Sequence, residues 1–145
     1  MSDRVILLVE DNADDEALTQ RAFNKAHIKN KVVVARDGAQ ALDYLFARGE
    51  FAARDVGETP QVILLDLNLP KVGGLDVLRA IRADPRTKLL PVVVLTSSKQ
   101  DRDLVEGYRL GANSYVVKPV DFSQFSEAVA QLGLYWLVLN ELAPA

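Results

Sequence analysis

Five short apolar stretches recur along the chain, separated by segments with helical spacing. They are Val5 to Val9, Lys31 to Ala35, Val62 to Leu65, Val92 to Leu95 and Ser114 to Val117. Runs of this length rich in Val, Ile and Leu, without polar alternation, predict buried strands of a parallel sheet. Asn12 with Asp15 predicts a capped helix running to about Ala26. Asp37 with Gln40 forms a capping-box signal for a helix through about Ala47, with Ala41, Leu42, Leu45 and Phe46 on its inner face. The turn from Asn68 to Gly74, shaped by Pro70 and paired glycines, leads to a helix at about Leu75 to Ala83. Ser98 with Asp101 can cap a helix ending near Gly111, and Asp121 with Gln124 can start a final helix reaching about Leu142.

Strand and helix thus alternate five times. Right-handed crossovers turn that alternation into a doubly wound α/β three-layer sandwich, flavodoxin-like, with parallel strand order 2-1-3-4-5. All strands of such a sheet finish at one edge, and ligands bind in the crevice beyond it. Four of the runs stop at residues suited to phosphoryl chemistry: Glu10 with Asp11, then Asp66, Thr96 and Lys118. The segment from Arg48 to Gln61 is longer than the usual helix-to-strand loop and mostly polar. It reads as a solvated excursion, or alternatively as a recognition loop.

Composition narrows the class. The 145 residues suit one domain, residues 1–145, with no room for a second of ordinary size. The net charge is -3 with scattered basic residues, which argues against a nucleic-acid footprint or a basic membrane patch. The absence of cysteine excludes disulfides, thiolate metal sites and thiol catalysis. No apolar run approaches the roughly 20 residues of a membrane span, so a soluble, cytoplasmic protein is expected.

Glu10 and Asp11 would face Asp66 across the switch point between the first and third strands. Carboxylates about 5 Å apart repel by roughly 3 kcal/mol at an effective dielectric near 20, so three of them need a cation. Hard oxygen ligands suggest magnesium, which leaves coordination positions for phosphoryl oxygens. Helix capping is the competing role for Glu10 and Asp11. Lys118 supplies a counter-ion either for Asp66 alone or for a phosphoryl group upon it. Thr96 can donate to a phosphoryl oxygen, or simply end its strand. Together the set suits a carboxylate nucleophile that forms an acyl phosphate.

Val9-Glu10-Asp11-Asn12, Leu65-Asp66-Leu67-Asn68-Leu69-Pro70, Leu95-Thr96-Ser97-Ser98 and Tyr115-Val116-Val117-Lys118-Pro119 resemble, in order, the receiver domains of two-component response regulators. The resemblance implies that Asp66 is the phosphoacceptor and that Glu10, Asp11, Asp66 and the Asn68 carbonyl hold Mg2+. It implies that Thr96 and Tyr115 form a switch pair, that Lys118 is the active-site lysine, and that a cis peptide precedes Pro119. The phosphoryl donor would be a sensor histidine kinase, docking on the first helix near Ala13 to Leu18 and on the loop after Lys118. Receivers are not enzymes beyond catalysing their own aspartyl phosphorylation and dephosphorylation. The long 48–61 segment and the Asn68-Leu69-Pro70-Lys71 turn resemble stand-alone regulators paired with bacterial and cyanobacterial phytochromes, so a bacteriophytochrome is the expected kinase.

In the last helix Phe122, Phe125, Val129, Leu132, Trp136 and Leu139 form a core stripe, while Ala128, Leu134, Tyr135, Leu137, Val138 and Leu142 make other faces apolar. That excess predicts a homodimer through the C-terminal helix, with folding back onto the same domain as the alternative. His27 reads as a surface residue near a helix end. An aspartate-nucleophile phosphatase would want an acid where Asn68 stands, and a flavin carrier would not place Glu10, Asp11, Asp14 and Asp15 beside a phosphate. The remaining alternative is a degenerate receiver that works as a phosphorylation-independent interaction module.

Overall fold

Alternate residues of every strand point to opposite helical layers. The strands are β1 (Ile6–Val9), β2 (Val32–Ala35), β3 (Val62–Leu65), β4 (Val92–Thr96) and β5 (Ser114–Val117). The helices are α1 (Ala13–Lys25), α2 (Gly38–Leu45), α3 (Gly74–Ala83), α4 (Asp101–Arg109) and α5 (Phe122–Gly133). In this computed structural model, which describes residues 5–96, 101–118, 122–133 and 135–136, the strands form one parallel sheet in the order β2-β1-β3-β4-β5. Leu7, Val9, Ile63, Leu65, Val92 and Val94 pack toward α2 and α3, against Ala41, Leu45, Val77, Leu78 and Ile81. Ile6, Leu8, Val62, Leu64, Val93 and Leu95 pack toward α1 and α5, against Phe23, Phe125 and Val129. Period two in the strands and burial on both faces explain why these runs lack polar alternation.

The register sets the site. Val9 lies opposite both Ala35 and Leu65, and Thr96 lies opposite Val117, so the strands end level. The ladder continues one step past each end: Glu10 N–H donates to the Ala35 carbonyl, Asp66 N–H to Val9, and Lys118 N–H to Thr96. Backbone bonds therefore hold the three charged residues at one edge before any side-chain contact forms.

Local chemistry starts the helices that follow. The Asn12 side chain accepts from the N–H groups of Asp14 at 2.9 Å and Asp15 at 3.0 Å. Asp14, Asp15 and Glu16 add negative charge where the helix dipole favours it. Asp37 accepts from Gln40 N–H at 2.7 Å, while the Gln40 amide oxygen accepts from Arg36 N–H, one residue earlier than a standard capping box. α2 stops at Leu45 rather than about Ala47, because Ala47 adopts a left-handed φ of 53°. Past the C-cap of α1, exposed His27 takes the left-handed position with φ 60°, and Ile28 N–H closes back on the Phe23 carbonyl. Its place is a helix stop at the surface.

The segment between α2 and β3 is anchored rather than loose. It opens with a 3-10 turn at Gly49–Phe51, and Phe51 meets the Tyr44 ring edge-on at 5.2 Å. The Arg54 guanidinium lies 3.9 Å over the Tyr44 ring and donates to the carbonyls of Tyr44 and Glu58. A stacked arginine that also satisfies two carbonyls turns a polar stretch into a folded lobe.

At the C-terminal end, α5 runs regularly to Gly133, and a π-type turn follows at Tyr135–Trp136. Phe125, Val129, Leu132 and Trp136 lie against the sheet as the stripe requires, with Trp136 only 8% exposed. Tyr135 faces out, 51% exposed, edge-on to Trp136. The described part of the extension thus packs on its own core, and residues 137–145 lie outside the described residues. The Ser98 cap and the Lys118–Pro119 peptide lie outside them too. No described helix is long and apolar enough to cross a membrane.

Candidate functional site

Lys118 is the centre of the strand-end cluster. Its ammonium donates to Glu10 Oε1 at 2.5 Å, Asp15 Oδ2 at 2.8 Å and Asp66 Oδ2 at 3.0 Å. The lysine side chain is 8% exposed and those of Glu10 and Asp66 are 2% and 7%, whereas that of Asp15 is 35%. Asp66 splits its two oxygens between different partners. Oδ1 accepts from the Thr96 hydroxyl at 2.9 Å and from Asn68 N–H at 3.0 Å, while Oδ2 faces the ammonium. Beyond them opens a cleft of about 520 Å³ lined by Glu10, Asp11, Asn12, Ala13, Asp14, Asp15, Asp66 and Asn68.

Burial and pairing divide the acids. Burial, helped by the negative charge of Asp66, pushes the Glu10 carboxyl up to about 7 against the pull of Lys118. Asp66 is also desolvated, yet the Asn68 N–H and the Lys118 charge hold it below its usual value. Glu10 is thus pushed toward its neutral form and Asp66 toward its ionised one. Burial alone would lower Lys118, but the carboxylates of Asp15, Glu10 and Asp66 outweigh it and raise the ammonium above its usual range.

These directions predict a pH signature in metal-free protein. Between the ordinary 4.5 of Glu10 and its folded value near 7, the native state holds a proton that the unfolded chain has released. Unfolding free energy should therefore fall as pH rises through that window. Asp66 acts oppositely and lower, where its contribution is lost as pH falls below its usual 3.8. Urea unfolding in chelator from about pH 4.5 to 8 should show the upper slope in the native sequence and lose it in Glu10→Gln. An unchanged slope in that variant would assign it to another group.

The residues singled out in the sequence come together unevenly. Glu10 and Asp66 share the Lys118 ammonium, and Thr96 binds Asp66. Asp11 is exposed and Asn68 is exposed, both on the cleft wall. Asp15 was legible as part of a helix cap and as one of the acids following β1, and with Glu10 and Asp66 it offers carboxylate oxygens within 4.8 Å of one another. Its position in the first turn of α1, immediately beyond the β1 end, is the signal that could have placed it here. Three clustered hard-oxygen donors against a single ammonium, beside an open acidic cleft, fit a divalent cation.

Tyr115 lies on the same sheet face as Thr96, opposite Val94 and one alternation back from the Thr96–Val117 pair. Its ring is half-buried between the inner core and α4. A Cβ added at Gly107 would sit 3.3 Å from it, and the Tyr108 ring is 6.3 Å away.

Comparison with known proteins matches this architecture. Residues 6–130 match the family described as Response regulator receiver domain. Response regulator Rcp1 of Synechocystis sp. is 37% identical over 134 residues, which cover 92% of this chain and 89% of Rcp1. The crystal structure of its Mn2+-bound form superposes with a TM-score of 0.88, covering 97% of this chain and 99% of that one. The phosphorylated cyanobacterial phytochrome response regulator RcpA gives a TM-score of 0.90 at 40% identity, with the same coverage. The bacteriophytochrome response regulator RtBRR is 54% identical with a TM-score of 0.78, over 97% of this chain and 84% of its own. A family match over residues 6–130, the sheet order and this strand-end cluster lead to one conclusion: the chain belongs to the response regulator receiver domain family and is related to the phytochrome response regulators.

Proposed function

We propose that this protein is a phosphorylation-switched signalling receiver that accepts a phosphoryl group from a sensor kinase histidine onto Asp66, with Mg2+ in the acidic cleft. The observation that carries the reading is the environment of Asp66: an ionised carboxylate at the floor of an open cleft, held by Thr96, Asn68 and Lys118. An Asp66 oxygen attacks phosphorus, the phosphorus–nitrogen bond breaks, and its electron pair stays on the departing imidazole. Lys118 and Thr96 orient the nucleophile and stand ready to donate to the phosphoryl oxygens as their charge develops. Mg2+, when bound by Glu10, Asp11, Asp66 and the Asn68 carbonyl, supplies the positive charge that offsets the clustered anions. Asp15 joins this set by its position, as one of the three clustered carboxylates.

The output is a two-state rearrangement. The Thr96 hydroxyl, bonded to Asp66 in the unphosphorylated protein, transfers to a phosphoryl oxygen, and the Tyr115 ring, which now lies beside Gly107, turns into the space that Thr96 vacates, altering the surface around α4. The similarity to RcpA and RtBRR, described as phytochrome and bacteriophytochrome response regulators, supports a phytochrome-type histidine kinase as donor. The apolar residues Leu137, Val138 and Leu142 support a homodimer through the C-terminal segment, for which exposed Tyr135 is the nearest described contact residue.

Incubation with acetyl phosphate, with and without Mg2+, followed by intact mass measurement, tests the reading. The native protein should gain one phosphoryl group only with Mg2+, and Asp66→Asn should gain none while melting cooperatively. Labelling that persists in Asp66→Asn would remove Asp66 from the role. No labelling by either acetyl phosphate or a phosphorylated histidine kinase would leave a phosphorylation-independent interaction module.

A further inference from the structure

Gly107 is a glycine that the backbone of α4 does not require. It is buried, and it lies inside the helix, where glycine is the least favoured residue after proline. The left-handed turn that ends α4 falls instead at Gly111, with φ 100°. What the missing side chain provides is room. A Cβ at Gly107 would stand 3.3 Å from Tyr115 Cδ2 and 3.4 Å from Cε2, so one edge of the ring rests where a side chain would begin.

Both backbones are tied down. The Gly107 carbonyl accepts from Ala112 N–H at 3.0 Å, and the Arg82 guanidinium donates to the Gly111 carbonyl from Nε at 2.9 Å and Nη2 at 2.7 Å, which fastens the end of α4 to α3. Tyr115 is held in β5 opposite Val94. An atom added between them must therefore be accommodated chiefly by the ring.

We infer that Gly107 is a positioning residue that seats the Tyr115 ring in the unphosphorylated state, so that a single methyl group added there biases the switch toward the turned ring. The inference deepens the proposed Thr96–Tyr115 rearrangement and rests on it, because crowding the seat favours the second state only if the ring leaves Gly107 in that state. Crowding raises the resting state alone, and the apparent affinity for a phosphoryl group rises by the same factor.

Binding of beryllofluoride with Mg2+, a mimic of the phosphoryl group, tests this in the full chain by calorimetry. Gly107→Ala should tighten binding about fivefold, the low end of overpacking costs, here borne by one of two states. The gain should persist in a Tyr115→Phe background, because the crowded atoms are ring carbons, and fall below about twofold in Tyr115→Ala. An equal gain in Tyr115→Ala would assign the effect to the helix propensity of alanine and overturn the inference. Unchanged or weaker binding in the native background would overturn it as well. Gly107→Ser, which adds the same Cβ, replaces the alanine variant if that does not fold. A second readout needs no ligand. In protein labelled with 3-fluorotyrosine, the 19F resonance of Tyr115, identified by its loss in Tyr115→Phe, should move in Gly107→Ala toward its position in the beryllofluoride-bound native protein, and an unmoved resonance would refute the seat. Failure of the native chain to bind beryllofluoride would remove the phosphoryl reading of Asp66 and the bias with it, whereas native binding without a response to Gly107→Ala removes the inference alone.

Discussion

Lys118→Met is expected to lower the unfolding free energy of the metal-free protein by about 3 to 5 kcal/mol near neutral pH, the range for removing one partner of a buried ion pair. The ammonium is the shared partner of three carboxylates, two of them nearly inaccessible to water. Its removal leaves Glu10, Asp15 and Asp66 with oxygens within 4.8 Å of one another. Each such pair repels by roughly 3 kcal/mol when both members are ionised, at an effective dielectric near 20. Two treatments should recover part of the loss. Millimolar Mg2+ replaces the missing positive charge, and acidification favours protonation of Glu10, whose carboxyl no longer feels the lowering pull of Lys118 in this variant. Urea titrations in chelator, in Mg2+ and at about pH 6 would show this pattern. Unchanged stability in chelator would mean that the three ion pairs contribute nothing net.

Gly74→Ala should damage both fold and site, whereas Gly73→Ala, one residue earlier, should do little. A Cβ at Gly74 would lie 2.4 Å from the Asp66 carbonyl oxygen and 2.5 Å from Leu67 Cα, backbone atoms that no rotamer change can clear. Gly74 N–H also donates to the Leu67 carbonyl at 3.2 Å, so the start of α3 is seated directly on the end of β3. The helix must lift away, at about 3 kcal/mol, and Asp66 must shift relative to Thr96 and Lys118. A shift of that kind should slow labelling by acetyl phosphate roughly a hundredfold. At Gly73 the φ is an ordinary -67°, and the nearest atom to an added Cβ is Asp76 Oδ2 at 3.9 Å. That substitution should change stability by less than about 1 kcal/mol, the scale of an N-cap exchange. Comparable losses in the two variants would show that general helix-start chemistry, not the backbone approach at Gly74, governs this turn.

Much of this organisation could be read in the sequence because it depends on local, periodic signals. The strands are short uninterrupted apolar runs, and order 2-1-3-4-5 follows from their alternation with helices and the handedness of crossovers. Glu10, Asp66, Thr96 and Lys118 were legible for a related reason: each stands at the end of a strand, and a parallel sheet collects strand ends at one edge. Asp15 was obscured because a carboxylate in the first turn of a helix already has a local explanation as a cap. Its partner Lys118 lies 103 residues away. The Arg54–Tyr44 stack was equally illegible, since a polar composition predicts solvation unless a particular contact is known. The end of α2 was overrun by two residues because apolar periodicity carries no mark of the left-handed turn at Ala47.

The proposed phosphorylation site is Asp66 rather than a neighbouring acid. Its most direct test is to label the protein with acetyl phosphate and Mg2+, reduce the acyl phosphate with borohydride, and locate the resulting homoserine by peptide sequencing. Homoserine is expected at position 66 alone. Homoserine at Glu10's neighbours Asp11 or Asp15, with Asp66 intact, would contradict it.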